Sequence, residues 1–135
     1  MAKAFLRELA DKQAVRSTAI EEKASEVETA EAVCNALLQK SNDADITADQ
    51  ADEFAEHRYR FCYHFNCDSD WTNALATRDA ARQESAAIAA SAKASLVIYY
   101  AKRRELDRLK AESQSAFEND FLHYSAALRS FMRER

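Results

Sequence analysis

The chain has 135 residues, a net charge of −4 with 31% charged residues of both signs, and neither glycine nor proline. Without those two residues it can form few sharp turns, and the glycine loops that cradle phosphates, bind dinucleotides or expose a strained nucleophile have no material to form. Apolar residues are 47% of the chain, with alanine prominent among them, a composition that favours long helices packed closely in a bundle or coiled coil. The mild acidity disfavours a nucleic-acid partner. The most apolar stretch, Ala86 to Ala101, is interrupted by Ser91, Lys93 and Ser95, so no membrane span is expected. The first residues carry Arg7, Glu8, Asp11 and Lys12 where a secretory signal needs an apolar core, which points to the cytoplasm. Cys34, Cys62 and Cys67 are an odd number in such a compartment, and free thiols follow as the reading.

The first predicted helix runs from Ala2 to Lys40. Leu6, Gln13, Ile20, Val27 and Cys34 fall seven apart, with Leu9, Ala24, Ala30 and Leu37 near companion positions, the pattern of a heptad seam with one polar member. Glu21, Glu22, Lys23, Glu26 and Glu28 then belong to a solvated outer face. Ser41-Asn42-Asp43-Ala44-Asp45 is rich in side chains that compete for backbone hydrogen bonds, and a helix end is predicted there. A short helix should follow from Thr47. Thr47-Ala48-Asp49-Gln50 has the form of a capping box with Ile46 as a staple, and Ala51, Phe54, Arg58, Phe61 and Phe65 make a stripe able to dock on a neighbour.

A second break is predicted at Asn66-Cys67-Asp68-Ser69-Asp70, after which no stop signal appears between Trp71 and Arg135. That last helix would extend roughly 90 Å, against roughly 60 Å for the first. Ile88, Ala92, Ser95, Tyr99, Leu106, Leu109, Ser113, Phe117, Phe121, Tyr124, Leu128 and Phe131 trace its stripe, and the run of fours after Leu109 resembles a stutter. The expected fold is all-α, a single domain over residues 1–135: an elongated antiparallel coiled coil of two long helices with one short helix near the connection.

Candidate chemistry is sparse. His57, Cys62, His64 and Cys67 are zinc-ligand types, but their spacing fits no standard tetrahedral pairing, and aromatic packing with free thiols is the reading taken. A di-iron bundle would need Glu-x-x-His repeats. Glu53 stands four before His57, Glu56 is adjacent to it, and His123 has no Glu three residues earlier. A Cys-His nucleophile pair from Cys34 or Cys62 would lack a glycine oxyanion loop. Neither a catalytic role nor a cofactor is assigned.

Charge placement is more suggestive. Asp43, Asp45, Asp49, Asp52, Glu53 and Glu56 form an acidic run, while Lys102, Arg103, Arg104, Arg108 and Lys110 surround only Glu105 and Asp107, with Arg129, Arg133 and Arg135 following. Two readings stand side by side: a polarity that orients a charged partner, and ordinary complementarity to helix dipoles. The apolar girdle Leu96-Val97-Ile98-Tyr99-Tyr100 is either covered by the short helix or open to a partner, and cover is the expectation because the short helix also presents aromatics.

In layout the chain resembles the FliJ/YscO family of type III secretion and flagellar export systems. The likeness lies in a long first helix, an Ile46-Thr47-Ala48 cap leading to an aromatic-bearing helix, and a long returning helix. In that helix, Tyr100-Ala101-Lys102-Arg103-Arg104-Glu105-Leu106-Asp107-Arg108-Leu109-Lys110 is similar to the family's aromatic and basic stretch, and Glu118 with Asp120 to its acidic continuation. The aromatic tail from Phe121 to Phe131 departs from the usually more polar family pattern. The resemblance implies a non-catalytic central stalk whose paired terminal helices enter a hexameric export ATPase, with its other end reaching an export gate or escort chaperones. Arg103, Arg104, Arg108 and Lys110 would then contact the ring or a partner. The competing expectation is a helical binding or scaffold module, such as a phage, immunity or chaperone-like protein, whose aromatic end with Phe121, Tyr124 and Phe131 holds one partner.

Overall fold

The computed structural model describes residues 2–65 and 68–134, with side chains described at 3–61 and 69–134. Helix α1 spans Ala2–Phe65 and helix α2 spans Asp68–Arg133, forming a helical hairpin with no strand among the described residues. Packing divides the chain into a terminal unit, Met1–Thr29 with Tyr100–Arg135, and a connection unit, Ala30–Tyr99.

The helix end expected at Ser41–Asp45 is absent, because α1 continues through it. The reason is the seam. Cys34, Leu37, Ser41, Ala44, Ala48, Ala51 and Ala55 are buried or half-buried at alternating steps of three and four, while Asn42, Asp43 and Asp45 are exposed. Ser41 and Ala44 therefore sit toward α2, and the cap-forming side chains that read as a break hydrate the outer face. Thr47 caps nothing: its Oγ1 donates to the carbonyl of Asp43 at 3.0 Å, as a threonine inside a helix does. Ile46 is exposed instead of acting as a staple, and the separate short helix is replaced by the last third of α1. Near the second predicted break, α1 ends at Phe65 and α2 already includes Asp68, Ser69 and Asp70; Asn66 and Cys67 lie outside the described residues.

Within the connection unit the core is made of small side chains. Cys34, Ala48, Ala55, Ala74 and Ala92 are buried together with Ser95, whose hydroxyl donates to the Ala92 carbonyl at 2.8 Å. Such residues let helices approach closely but remove little apolar area from water. Across the seam, Ser85 Oγ donates to Asp45 and Tyr59 packs on Trp71 with ring centroids 5.2 Å apart. Arg82 Nη2 stands 2.7 Å from Asp52 Oδ1, an ion pair without hydrogen-bond alignment. As the α1 partner advances, the α2 partner retreats, which is antiparallel packing.

The terminal unit packs the same way with larger side chains. Among its described residues Val27 and Leu106 are buried, Ile20 and Leu109 are half-buried, and Phe5 meets Tyr124 at 5.3 Å between ring centroids. Charged residues also occupy its seam. Arg16 Nη2 donates to Asp120 Oδ2 at 2.7 Å with both side chains about a fifth exposed, and Lys23 Nζ reaches Glu26 at 2.9 Å and Glu105 at 3.1 Å. Leu6, expected in the seam, is exposed, and Gln13 is half-covered. Among the described residues of the whole chain, no large side chain is fully buried.

The girdle expected beneath a third helix is open. Val97, Ile98 and Tyr100 are 67%, 54% and 50% exposed, with Leu96 and Tyr99 half-covered. A continuous α1 leaves no further helix to cover them, and one neighbour can shield only one stripe.

Candidate partner-binding face of the terminal unit

The seam of α2 in the terminal unit follows Leu106, Leu109, Ser113, Ala116, Asp120 and Tyr124. Phe117 and Phe121 therefore do not belong to it. The run of fours comes later than Leu109 and does not pass through them: the covered residues step four and three through Ser113 to Ala116, then four and four through Asp120, which pairs with Arg16 across the seam, to Tyr124. Phe117 and Phe121 stack on each other outside the seam at 6.3 Å between centroids and 27° between planes.

Four residues, Phe117, Phe121, Leu128 and Met132, follow at steps of four, seven and four and share one face. They are 36%, 52%, 38% and 67% exposed. Leu122 and Phe131 beside them are also exposed. Where this face meets α1, a groove of about 420 Å³ is lined by Phe5, Glu8, Tyr124, Leu128 and Phe131 with small alanines between. Of the three aromatic candidates, Tyr124 is half-buried against Phe5, Phe121 stands outside the seam, and Phe131 lines the groove.

All four basic candidates are exposed. Their helical positions divide them: Arg104 and Arg108, four apart, share one face, while Arg103 and Lys110 lie at seven-residue steps that continue to Phe117. Arg108 pairs along its own helix with Glu112 at 3.0 Å and Glu105 at 4.0 Å. The apolar stripe thus carries a basic extension through Lys110 and Arg103. Hydropathy of α2 as a whole concealed this face, because a second stripe beside the seam looks like a wide core until the seam is placed.

Electrostatics concentrate at the seam pairs. The hydrogen bond from Arg16, with the Arg16 charge, holds the Asp120 carboxyl below its ordinary range. Glu26 is lowered first by its bond from Lys23, then by the charges of Lys23 and Lys102, the latter 3.7 Å away. Lys23 is correspondingly raised by its bonds to Glu26 and Glu105.

The acidic run lies in the interior of α1, whose first turn holds no acid, so helix-start complementarity does not explain it. Arg133 in the last turn of α2 does fit its dipole. His57 is exposed and His123 Nδ1 lies 2.9 Å from the Asn119 carbonyl; the side chains of Cys62 and His64, and Cys67, lie outside the described residues. Among the described residues no group of three or more His, Cys, Asp or Glu is placed to hold a metal, and no helix is long and apolar enough to cross a membrane. Compared with known proteins, the chain matches no family model, no curated protein and no solved structure.

Proposed function

We propose that the chain is a non-catalytic contact protein, a helical-hairpin binding module whose terminal unit holds a protein partner. The observation that carries this reading is the second apolar stripe on α2, with Phe121 half exposed and Met132 two-thirds exposed. Isolated exposed apolar residues are ordinary, whereas an aligned row bordering an apolar groove marks an interaction surface. The partner's chemistry follows from the lining: an apolar ridge, helical at its simplest, to fill the groove, with acids to meet Arg103 and Lys110. The alternating three-four seam of α1 from Cys34 to Ala55 is the spacing that supercoiled helix pairs use.

A second, more specific reading is favoured by the exposed basic run of α2: a cytoplasmic stalk in a type III secretion or flagellar export apparatus, as the FliJ/YscO resemblance implies. There Arg103, Arg104, Arg108 and Lys110 would meet a hexameric export ATPase, and other surfaces an export gate or chaperones. Affinity purification of the tagged chain from its own cells separates the two. A hexameric ATPase retained in stoichiometric amount, and lost on Arg104→Glu with Arg108→Glu, supports the stalk. A different stoichiometric partner lost on Phe121→Glu supports the binding module and sinks the stalk.

A further inference from the structure

The outer stripe of the terminal unit has a shape and charge order that fit its own copy. No large described side chain is fully buried, so the hairpin leaves apolar surface that a second helical layer would cover.

Charge selects the orientation. Phe117, Phe121, Leu128 and Met132 are spaced symmetrically about the midpoint between Phe121 and Leu128. Glu118 and Arg129 lie on the same flank of this stripe, one near each end, by their helical positions. Both are exposed. Their present contacts are local: Gln114 Nε2 donates to Glu118 at 3.0 Å, and Arg129 Nε donates to the Ser125 carbonyl at 3.3 Å. Two copies laid antiparallel on this stripe bring Phe117 of one to Met132 of the other and Phe121 to Leu128. The same operation sets each Glu118 beside the other copy's Arg129, twice over by symmetry. A parallel arrangement would place the Glu118 and Arg129 flanks of the two copies on opposite edges of the interface, where no such pair forms.

We infer that the Phe117–Phe121–Leu128–Met132 stripe is an isologous antiparallel interface with a second copy of this chain, flanked by two reciprocal Glu118–Arg129 pairs. This rests on the contact reading above and names an occupant for the same face.

Sedimentation equilibrium of the full chain at micromolar concentration tests it. The expected species is a dimer, and Phe121→Glu or Met132→Glu gives a monomer whose far-ultraviolet circular dichroism remains helical. Glu118→Arg and Arg129→Glu each raise the dissociation constant roughly tenfold, since symmetry doubles the effect of one exposed pair, and the combined variant restores it. A wild-type monomer overturns the inference, as does a dimer that both stripe variants leave intact. Failure of the combined variant to restore affinity overturns the antiparallel arrangement. A monomeric chain that still loses another protein partner on Phe121→Glu removes the self-association while leaving the contact reading standing.

Discussion

Replacing Asp43 by proline discriminates the continuous α1 from a chain that breaks at Ser41–Asp45. Inside α1, proline at this position deletes the amide donor to the Gln39 carbonyl and drives its ring against that carbonyl, a cost of about 3 kcal/mol or more. It also pushes Asn42 away from helical geometry. The surrounding seam has little to compensate, since Ser41 and Ala44 are only half-buried and the nearest buried residues are Cys34 and Ala48. Asp43→Ala is the reference. It removes the exposed 3.1 Å hydrogen bond from Gln39 and should fall within about 0.5 kcal/mol of wild type. With urea slopes of about 1–3 kcal/mol per molar, the proline variant should lose about 1–3 M in midpoint against that reference, followed by circular dichroism. In a turn, proline would be neutral or stabilising by limiting the unfolded chain. Equal midpoints for Asp43→Pro and Asp43→Ala would refute the continuous helix.

Three further outcomes follow from the packing and the charges. Leu106→Ala, at a side chain only 8% exposed, should cost about 2–4 kcal/mol, whereas Val97→Ser, two-thirds exposed, should stay within about 0.5 kcal/mol; similar losses in urea titration would mean that the seam is misplaced. Because the Asp120 and Glu26 carboxyls are held low in the fold, their contribution is complete at neutral pH. It declines below about pH 4 as the unfolded carboxylates, then the folded ones, take up protons. Lys23 is raised, so its contribution is present below the ordinary lysine value and lost only as pH rises through the raised one. Thermal melts should therefore be flat near neutrality with an acid decline that Asp120→Asn reduces; an unchanged acid limb contradicts the seam pairing. The Cys34 thiol, 3% exposed, should resist iodoacetamide in the native chain and react in urea, read by peptide mass spectrometry, with equal rates counting against its burial.

How far the chain could be read from its residues is clearest in α1. The seven-residue line through Ile20, Val27 and Cys34 is covered as expected, because heptad spacing is a global pattern that local chemistry cannot imitate over several turns. Ser41 to Asp45 misled because cap preference is a local property, and a helix already held by its seam tolerates such residues on its wet side. A separate short helix would also have covered Val97, Ile98 and Tyr100, which stand exposed beside the continuous α1. In α2, Phe117 and Phe121 looked like core because large aromatics usually are, yet Ala116 and Asp120 hold the seam. The small alanine and the Arg16-paired acid were weaker apolar signals than the phenylalanines beside them. Of the three aromatic candidates at this end, Phe121 and Phe131 are exposed, while Tyr124 is half-buried against Phe5.

The claim that this molecule works by contact through its terminal unit is tested most directly by site-specific photo-crosslinking in the cells that produce it. A photoreactive phenylalanine analogue placed at Phe117, Phe121 or Met132 should yield discrete protein adducts. The same analogue at Asp79 or Glu84, exposed in the connection unit, should yield none of them. Adducts absent from all three stripe positions, or identical at the control positions, would contradict the account.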